Sequence, residues 1–522
     1  LKRCSSARTY TAASVLAIPM PCKANLEDAC VIDANRNLTL HALPSGRVLP
    51  DGLRNLCFAN DFNQDLQNVS FPPSLQTLTF GSMFNRCIDE LCLPNGLQSL
   101  HFGHDFNQSI DKVALPSSLQ DLVFGSKFNR SIHGVALPTG LRSLVLGSYY
   151  NQSVANVTFP SDLKHLTFGF WFNQTLQGVL LPSGLQSLTL GDKFNQPMEM
   201  VQLPSNLQRL TFGRDFNQSI DMVALPRGLR KLVFGALFNQ SMETVVLPPG
   251  LQELTFGTRF NQCIDMIGLP VDLKKLSFGL WFNQAVDKVR LPDGLQMLTF
   301  GDKFNQSMDD VILPNALLHL TFGNDFNQDI SKVSWPDGLQ RLTFGRDFNQ
   351  NMDDVILSSG LQSLIFGSRF NQSLEKVSLP ICLQHLTFGD NFNQTIEKAS
   401  LPHSLKTLTF GDKFNHSLDK VRLPNELQSL AFGAWFNQSL DKVLLPCSLQ
   451  SLTFGDWFDQ SMEKVTLPSG LENLAFGSCF KQSMENVTLP VSLTSFVVGD
   501  KFSQNMDSLA LPNGLKGLRV WA

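Results

Sequence analysis

Apolar positions recur along the chain with a period of 22. From Leu49-Pro50 a Leu-Pro-like pair returns at Phe71-Pro72, Leu93-Pro94 and Leu115-Pro116, and so on to Leu511-Pro512 without an insertion. The unit beginning at Leu291 reads L-P-x-G-L-Q-x-L-T-F-G-x-x-F-N-Q-S-M-D-x-V-x, with apolar positions at Leu291, Leu295, Leu298, Phe300, Phe304, Met308 and Val311. The L-x-x-L-x-F portion alternates as a half-buried strand does, and a fixed Pro and Gly in every 22 residues leave no room for an α-helix of ordinary length. The spacing therefore predicts one short strand per unit, near Leu298 to Phe300. One unit cannot bury its own apolar side. Stacked copies can, with strands paired in parallel about 4.8 Å apart. The predicted fold is mainly β, a parallel β-solenoid of about 21 turns with little α-helix, and it would run roughly 100 Å before curvature is considered.

Four further positions are nearly constant. Gly81, Gly103, Gly125 and their successors, Gly301 among them, continue to Gly499, and only Ala59 departs. This marks a corner that needs either positive φ or close backbone approach. The Pro position fails only at Ser358; its fixed φ ends strand pairing at a second corner. A Phe position, including Phe106, Phe216, Phe304 and Phe436, departs only to Tyr150 and is followed by Asn at every turn from Asn63 to Asn437. Asn107, Asn217, Asn305 and Asn437 are expected to form an inward ladder, their amides serving corner backbone groups that the strands leave unpaired. The ladder decays to Asp459, Lys481 and Ser503, and the core positions shift to Phe496, Val498 and Val520. Terminal turns that must face water show such decay.

Composition narrows the function classes. Phe numbers 42 against 3 Tyr, with 36 Gly and 27 Pro, as one motif copied many times requires. The 41 basic and 45 acidic residues leave a net charge of −4, so the whole-molecule field gives no reason to expect nucleic-acid binding. Mean hydropathy is −0.02 and no apolar run approaches the 18 or so residues of a membrane span.

The run L-P-x-x-L-x-x-L-x-F-G-x-x-F-N-Q-x-I, seen at Leu115 to Ile132 and Leu313 to Ile330, resembles the FNIP repeats, a leucine-rich-repeat-like family. The resemblance covers about residues 49–515, although Gln-Ser mostly follows F-N here. It implies a leucine-rich-repeat-like solenoid with interaction roles. Some members of the family carry an F-box or kinase domain ahead of the array; residues 1–48 show neither, and a chain that starts at Leu1 leaves room for an upstream domain.

The expected organisation is a disordered or transit-like arm at 1–26, an irregular N-terminal cap at 27–48, the repeat solenoid at 49–489, and degenerate final repeats with a C-terminal cap at 490–522. The arm holds Lys2, Arg3, Arg8 and Lys23 without an acid, and Asn37-Leu38-Thr39-Leu40 reads as an imperfect first turn. The ten cysteines are scattered over several positions of the unit, with no C-x-x-C pair, which favours a reducing, cytoplasmic location. Triplets such as Asn107-Gln108-Ser109 and Asn217-Gln218-Ser219 read as by-products of the Asn position, and a buried Asn would be a poor glycan acceptor.

Little points to catalysis. Acidic residues at Asp287, Asp309, Asp353, Glu375, Glu397, Asp419, Asp441 and Glu463 would invite a calcium ion, but Lys288, Lys376, Lys398, Lys420, Lys442 and Lys464 stand beside many of them, as in a solvated charge stripe. His101, His165, His319 and His385 lie several turns apart, too far to share a metal. No Ser/His/Asp grouping emerges, so neither an enzyme nor a cofactor is expected. On the strand, Thr299 and its equivalents Thr255, Thr321, Thr343 and Thr409 point outward. The adjacent outward position varies through Arg209, Lys231, Glu253, Lys275, Met297, His319 and Arg341. After the Gly corner come Tyr149, Phe170, Trp171, Trp281, Trp435 and Trp457, which either fold onto the corner or form contact patches, with Trp435 and Trp457 the better pair. The expectation is a non-enzymatic scaffold that binds a protein partner through the strand face and these corners, with no nucleic acid and no membrane insertion. A secreted carbohydrate-binding or adhesive protein, and the recognition half of an F-box ubiquitin ligase adaptor, are the alternatives.

Overall fold

The structure, a computed structural model, describes residues 33, 35–44, 48–504 and 509–520. The expected N-terminal arm and parts of both expected caps lie outside the described residues. Twenty-three strands, β1 (Asn37–Leu40) to β23 (Gly517–Val520), form one parallel sheet in which each strand pairs with the next along the chain. None of the described residues is helical. The chain is a leucine-rich-repeat-like parallel β-solenoid.

Most strands have three residues. In the unit of Leu291 the strand is β13 (Met297–Thr299), one residue earlier than the alternation suggests. The N–H groups of Gln296 and Met297 both donate to the Lys274 carbonyl of the preceding turn, so pairing starts before Leu298; Phe300 keeps a single bond, to the Thr321 carbonyl of the next turn. Pairing runs in steps of 22 residues from β2 (Asn55–Phe58) onward, as in Met297 opposite His319. Only the first step differs: Leu40 of β1 faces Phe58 of β2.

Leu295, Leu298, Phe300, Phe304, Met308 and Val311 are all buried, and their equivalents make one continuous core. Within a turn the Phe300 and Phe304 rings stack with centroids 3.9 Å apart. Between turns Phe300 lies 5.7 Å from Phe322 and Phe304 lies 6.1 Å from Phe326, whereas parallel strands are spaced by about 4.8 Å. Equivalent points separate more widely away from the sheet, so the turns fan out and the strand face becomes the inner face of an arc.

The Gly corner is explained by close approach and not by positive φ, which none of these glycines adopts. A Cβ on Gly301 would sit 1.7 Å from the carbonyl oxygen of Gly279 in the preceding turn, and the clash recurs at nearly every Gly of this position. Ala59 is tolerated because it belongs to the first full turn. At the Pro corner the Leu295 N–H donates to the Pro292 carbonyl. Where Ser358 replaces Pro, its buried hydroxyl donates to the Asp337 carbonyl at 3.2 Å.

The Asn residues do form a ladder, but it is not inward. The Asn327 N–H donates to Asn305 Oδ1 at 2.9 Å, and Gln328 Nε2 donates to the same oxygen at 2.9 Å. The side chain reaches along the stack to the next turn, and this keeps Asn305 half-buried at the rim and leaves Asn151, Asn393 and Asn415 exposed. Burial therefore gives no reason against modification of these Asn side chains. The ladder also continues past Asn437: Asp459 Oδ1 accepts from the Lys481 N–H at 3.1 Å and from Gln482 at 2.9 Å. An acceptor oxygen is what the rung requires, and a carboxylate supplies one. A third corner is set by serine, as when Ser307 Oγ accepts from the Asp309 N–H at 3.1 Å.

Candidate interaction surface

The varying strand position forms one line on the inner face. Arg209, Lys231, Glu253, Lys275, Met297, His319 and Arg341 are paired rung to rung on seven consecutive strands. Each stands beside a buried Leu and is itself half-buried or exposed. Backbone hydrogen bonds fix where these side chains leave the sheet, while nothing in the core constrains what they are. Lys231 Nζ lies 2.7 Å from the Glu253 carboxylate. The Lys231 hydrogen bond, helped by the charges of Lys275 and Arg209, holds Glu253 below the ordinary glutamate range despite partial burial.

The corner aromatics are displayed and not folded inward. Tyr149, Trp171, Trp281, Trp435 and Trp457 are between 46% and 61% exposed. Their backbone is pinned turn to turn, as where the Trp281 N–H donates to the Thr258 carbonyl at 2.9 Å. They differ in surroundings. Tyr149 and Trp171 stack with centroids 6.4 Å apart, and Phe170 meets Trp171 edge-on at 5.3 Å. Lys193 Nζ lies 5.6 Å from the Trp171 ring centre and 2.8 Å from Asp215 one turn further on. Five turns later the same trio recurs: Lys303 Nζ lies 5.9 Å from the Trp281 ring centre and 2.8 Å from Asp325. Trp435 and Trp457, one turn apart, make no ring stack or cation contact of this kind. The sequence held the signal for the trios, since Trp, Lys and Asp follow at intervals of 22 residues in both places.

On the outer side, lysines reach back one turn to the acidic stripe, as with Lys420 to Glu397 at 3.3 Å and Lys398 to Glu375 at 3.5 Å. These lysines are more than three-quarters exposed, and exposed pairs of this kind contribute little to stability. Among the described residues no three His, Cys, Asp or Glu side chains come together as a metal site requires, and no helix is long and apolar enough to cross a membrane. Burial lowers the pKa of His101, partly opposed by the charge of Asp121.

The comparisons agree with this geometry. No curated protein sequence matches the chain. Among solved structures, CroV588, described as a novel circular leucine-rich-repeat protein, superposes with a TM-score of 0.80 at 43% identity, covering 91% of this chain and 73% of its own. YopM from Yersinia enterocolitica aligns over 93% of this chain and 91% of its own at 18% identity, with a TM-score of 0.41. The FNIP Repeat family model matches in successive, partly overlapping segments from residues 43–83 to 458–496. The chain belongs to the FNIP repeat family.

Proposed function

We propose that this protein is a non-enzymatic scaffold that binds a protein partner through its inner strand face and the adjoining corner aromatics. The observation that carries this reading is the contrast between a core repeated with few changes for about 21 turns and an outward line that runs Arg, Lys, Glu, Lys, Met, His, Arg over seven consecutive rungs. A solenoid whose outer residues had no partner would have no need of a fixed presenting ladder beneath a changing surface. The similarity to a circular leucine-rich-repeat protein supports the curved form of the scaffold, and curvature brings the strand face around whatever it holds.

The test is affinity capture with the full chain against two surface variants. Charge reversal on the strand face, with Lys231→Glu and Arg341→Glu, is expected to abolish recovery of the captured partner; recovery equal to that of the unaltered chain would refute the strand-face reading. The Trp435→Ala, Trp457→Ala double variant examines the corner patch, and undiminished recovery would remove that patch from the interface.

A further inference from the structure

On the strand face and the corner before it, charge is concentrated in four adjacent turns. Arg209, Arg227, Arg230, Lys231, Lys274 and Lys275 occupy the outward positions between residues 203 and 290, against the two acids Glu253 and Asp272. The flanking turns present Ser183, Gln186 and Ser187 on one side and Gln296 and Met297 on the other. In a chain of net charge −4 this is a local reversal of sign.

Lys231 is neutralised by Glu253 at 2.7 Å. Among the described residues, Arg209, Arg227, Arg230, Lys274 and Lys275 make no ion pair, and their side chains donate no hydrogen bond within the chain. Arg227, Arg230, Lys274 and Arg209 are exposed. Arg227 and Arg230 flank a cavity of about 280 Å³ whose other walls include Gln252, Asp272 and the side-chain-free surfaces of Gly228 and Gly250. Two unpaired guanidinium groups over a polar recess suit a carboxylate, which a planar fork of N–H donors grips with two parallel bonds. The depression of the Glu253 pKa shows independently that the field here favours negative charge.

We infer that the four turns between residues 203 and 290 form the docking site for a short acidic peptide segment of the partner, one carboxylate seated in the recess between Arg227 and Arg230 and others set against Arg209, Lys274 and Lys275. This rests on the scaffold reading and specifies its partner's chemistry. Four rungs span roughly 14 Å, the length of about four or five extended residues. A nucleic acid fits less well. It would lay a uniform row of phosphates along a track, whereas here the basic stretch is short and Glu253 and Asp272 interrupt it. For a peptide those two acids set the register.

The experiment is fluorescence anisotropy with the full chain and a labelled six-residue glutamate peptide, beside a six-residue lysine peptide and a single-stranded oligonucleotide of equal charge. The glutamate peptide is expected to bind, to weaken as salt rises, and to lose at least tenfold in affinity with Arg227→Gln, Arg230→Gln, while Lys406→Gln outside the patch leaves binding unchanged. Circular dichroism confirms that the variants keep their β signal. Absence of peptide binding, equal binding by the double variant, or tighter binding of the oligonucleotide would overturn the inference. None of these outcomes bears on capture by the Lys231→Glu, Arg341→Glu chain, so a failure here is separable from a failure of the scaffold reading.

Discussion

Gly301 shows how a single position can be dictated by the neighbouring turn. Its hypothetical Cβ meets backbone at 1.7 Å, and backbone cannot rotate aside as a side chain can, so Gly301→Ala is expected to cost about 3 kcal/mol or more. Thermal unfolding of the variant, together with faster amide exchange in the adjoining turns, is the measurement. A Tm unchanged from the parent would refute the close-approach account. The Asn ladder makes a subtler demand, for an acceptor and not for an amide. Asn305→Ala strands two donors, the Asn327 N–H and Gln328 Nε2, and is expected to cost about 1–3 kcal/mol, whereas Asn305→Asp keeps most of the stability at neutral pH. Nature has made the second change at Asp459. Burial raises its pKa, but hydrogen bonds from Gln482 and Lys481 outweigh that and hold it below the usual aspartate value. A depressed folded pKa contributes stability that is present above the unfolded pKa and lost as pH falls through the folded one. Acid titration should therefore loosen the last turns first, below about pH 4, and Asp459→Asn should remove that part of the acid sensitivity. Identical acid profiles for the two chains would contradict it.

Within one turn, the sequence announced more than it located. Leu298, Phe300 and Phe304 were legible as core because their spacing admits no other face, and the Gly and Pro positions marked corners. The strand began one residue early because both Gln296 and Met297 donate to a single carbonyl, a shared bond that no alternation of side chains reveals. The same limit explains the Asn ladder. Sequence shows that Asn is required beside a core Phe, but whether its amide points inward or along the stack depends on where the next turn's N–H lies. Exposure of Trp435 and the pairing of Lys303 between Trp281 and Asp325 were hidden for the same reason. They involve residues 22 apart, neighbours only after the register is set. That register makes the turn the unit of folding. Deleting residues 313–334 removes one complete unit and joins equivalent surfaces, so a cooperatively folded chain with a Tm close to the parent's is expected. Deleting 313–323, half a unit, should abolish cooperative unfolding in the adjoining turns. Equal behaviour of the two deletions would show that stability does not depend on turn-to-turn stacking.

Over the full array the small differences in spacing accumulate. The turns are about 4.8 Å apart at the strands but 6.1 Å apart at the Phe304 rank, and every further step toward the outer side widens the gap. A stack of identical wedges cannot be straight. The wedge itself comes from composition: two stacked Phe rings per turn fill the outer part of the core, while Leu and a three-residue strand fill the inner part. This curvature decides what the surface can do, since it turns the line from Arg209 to Arg341 into the inside of an arc, where one partner touches several rungs at once. Small-angle X-ray scattering of the full chain should therefore give a longest dimension well short of the roughly 100 Å of a straight stack of this many strands, with a pair-distance distribution lacking the long linear tail of a rod. A rod-like profile would mean that the rings do not hold the turns apart in solution, and the strand face would then be a flat strip with no power to enclose its partner.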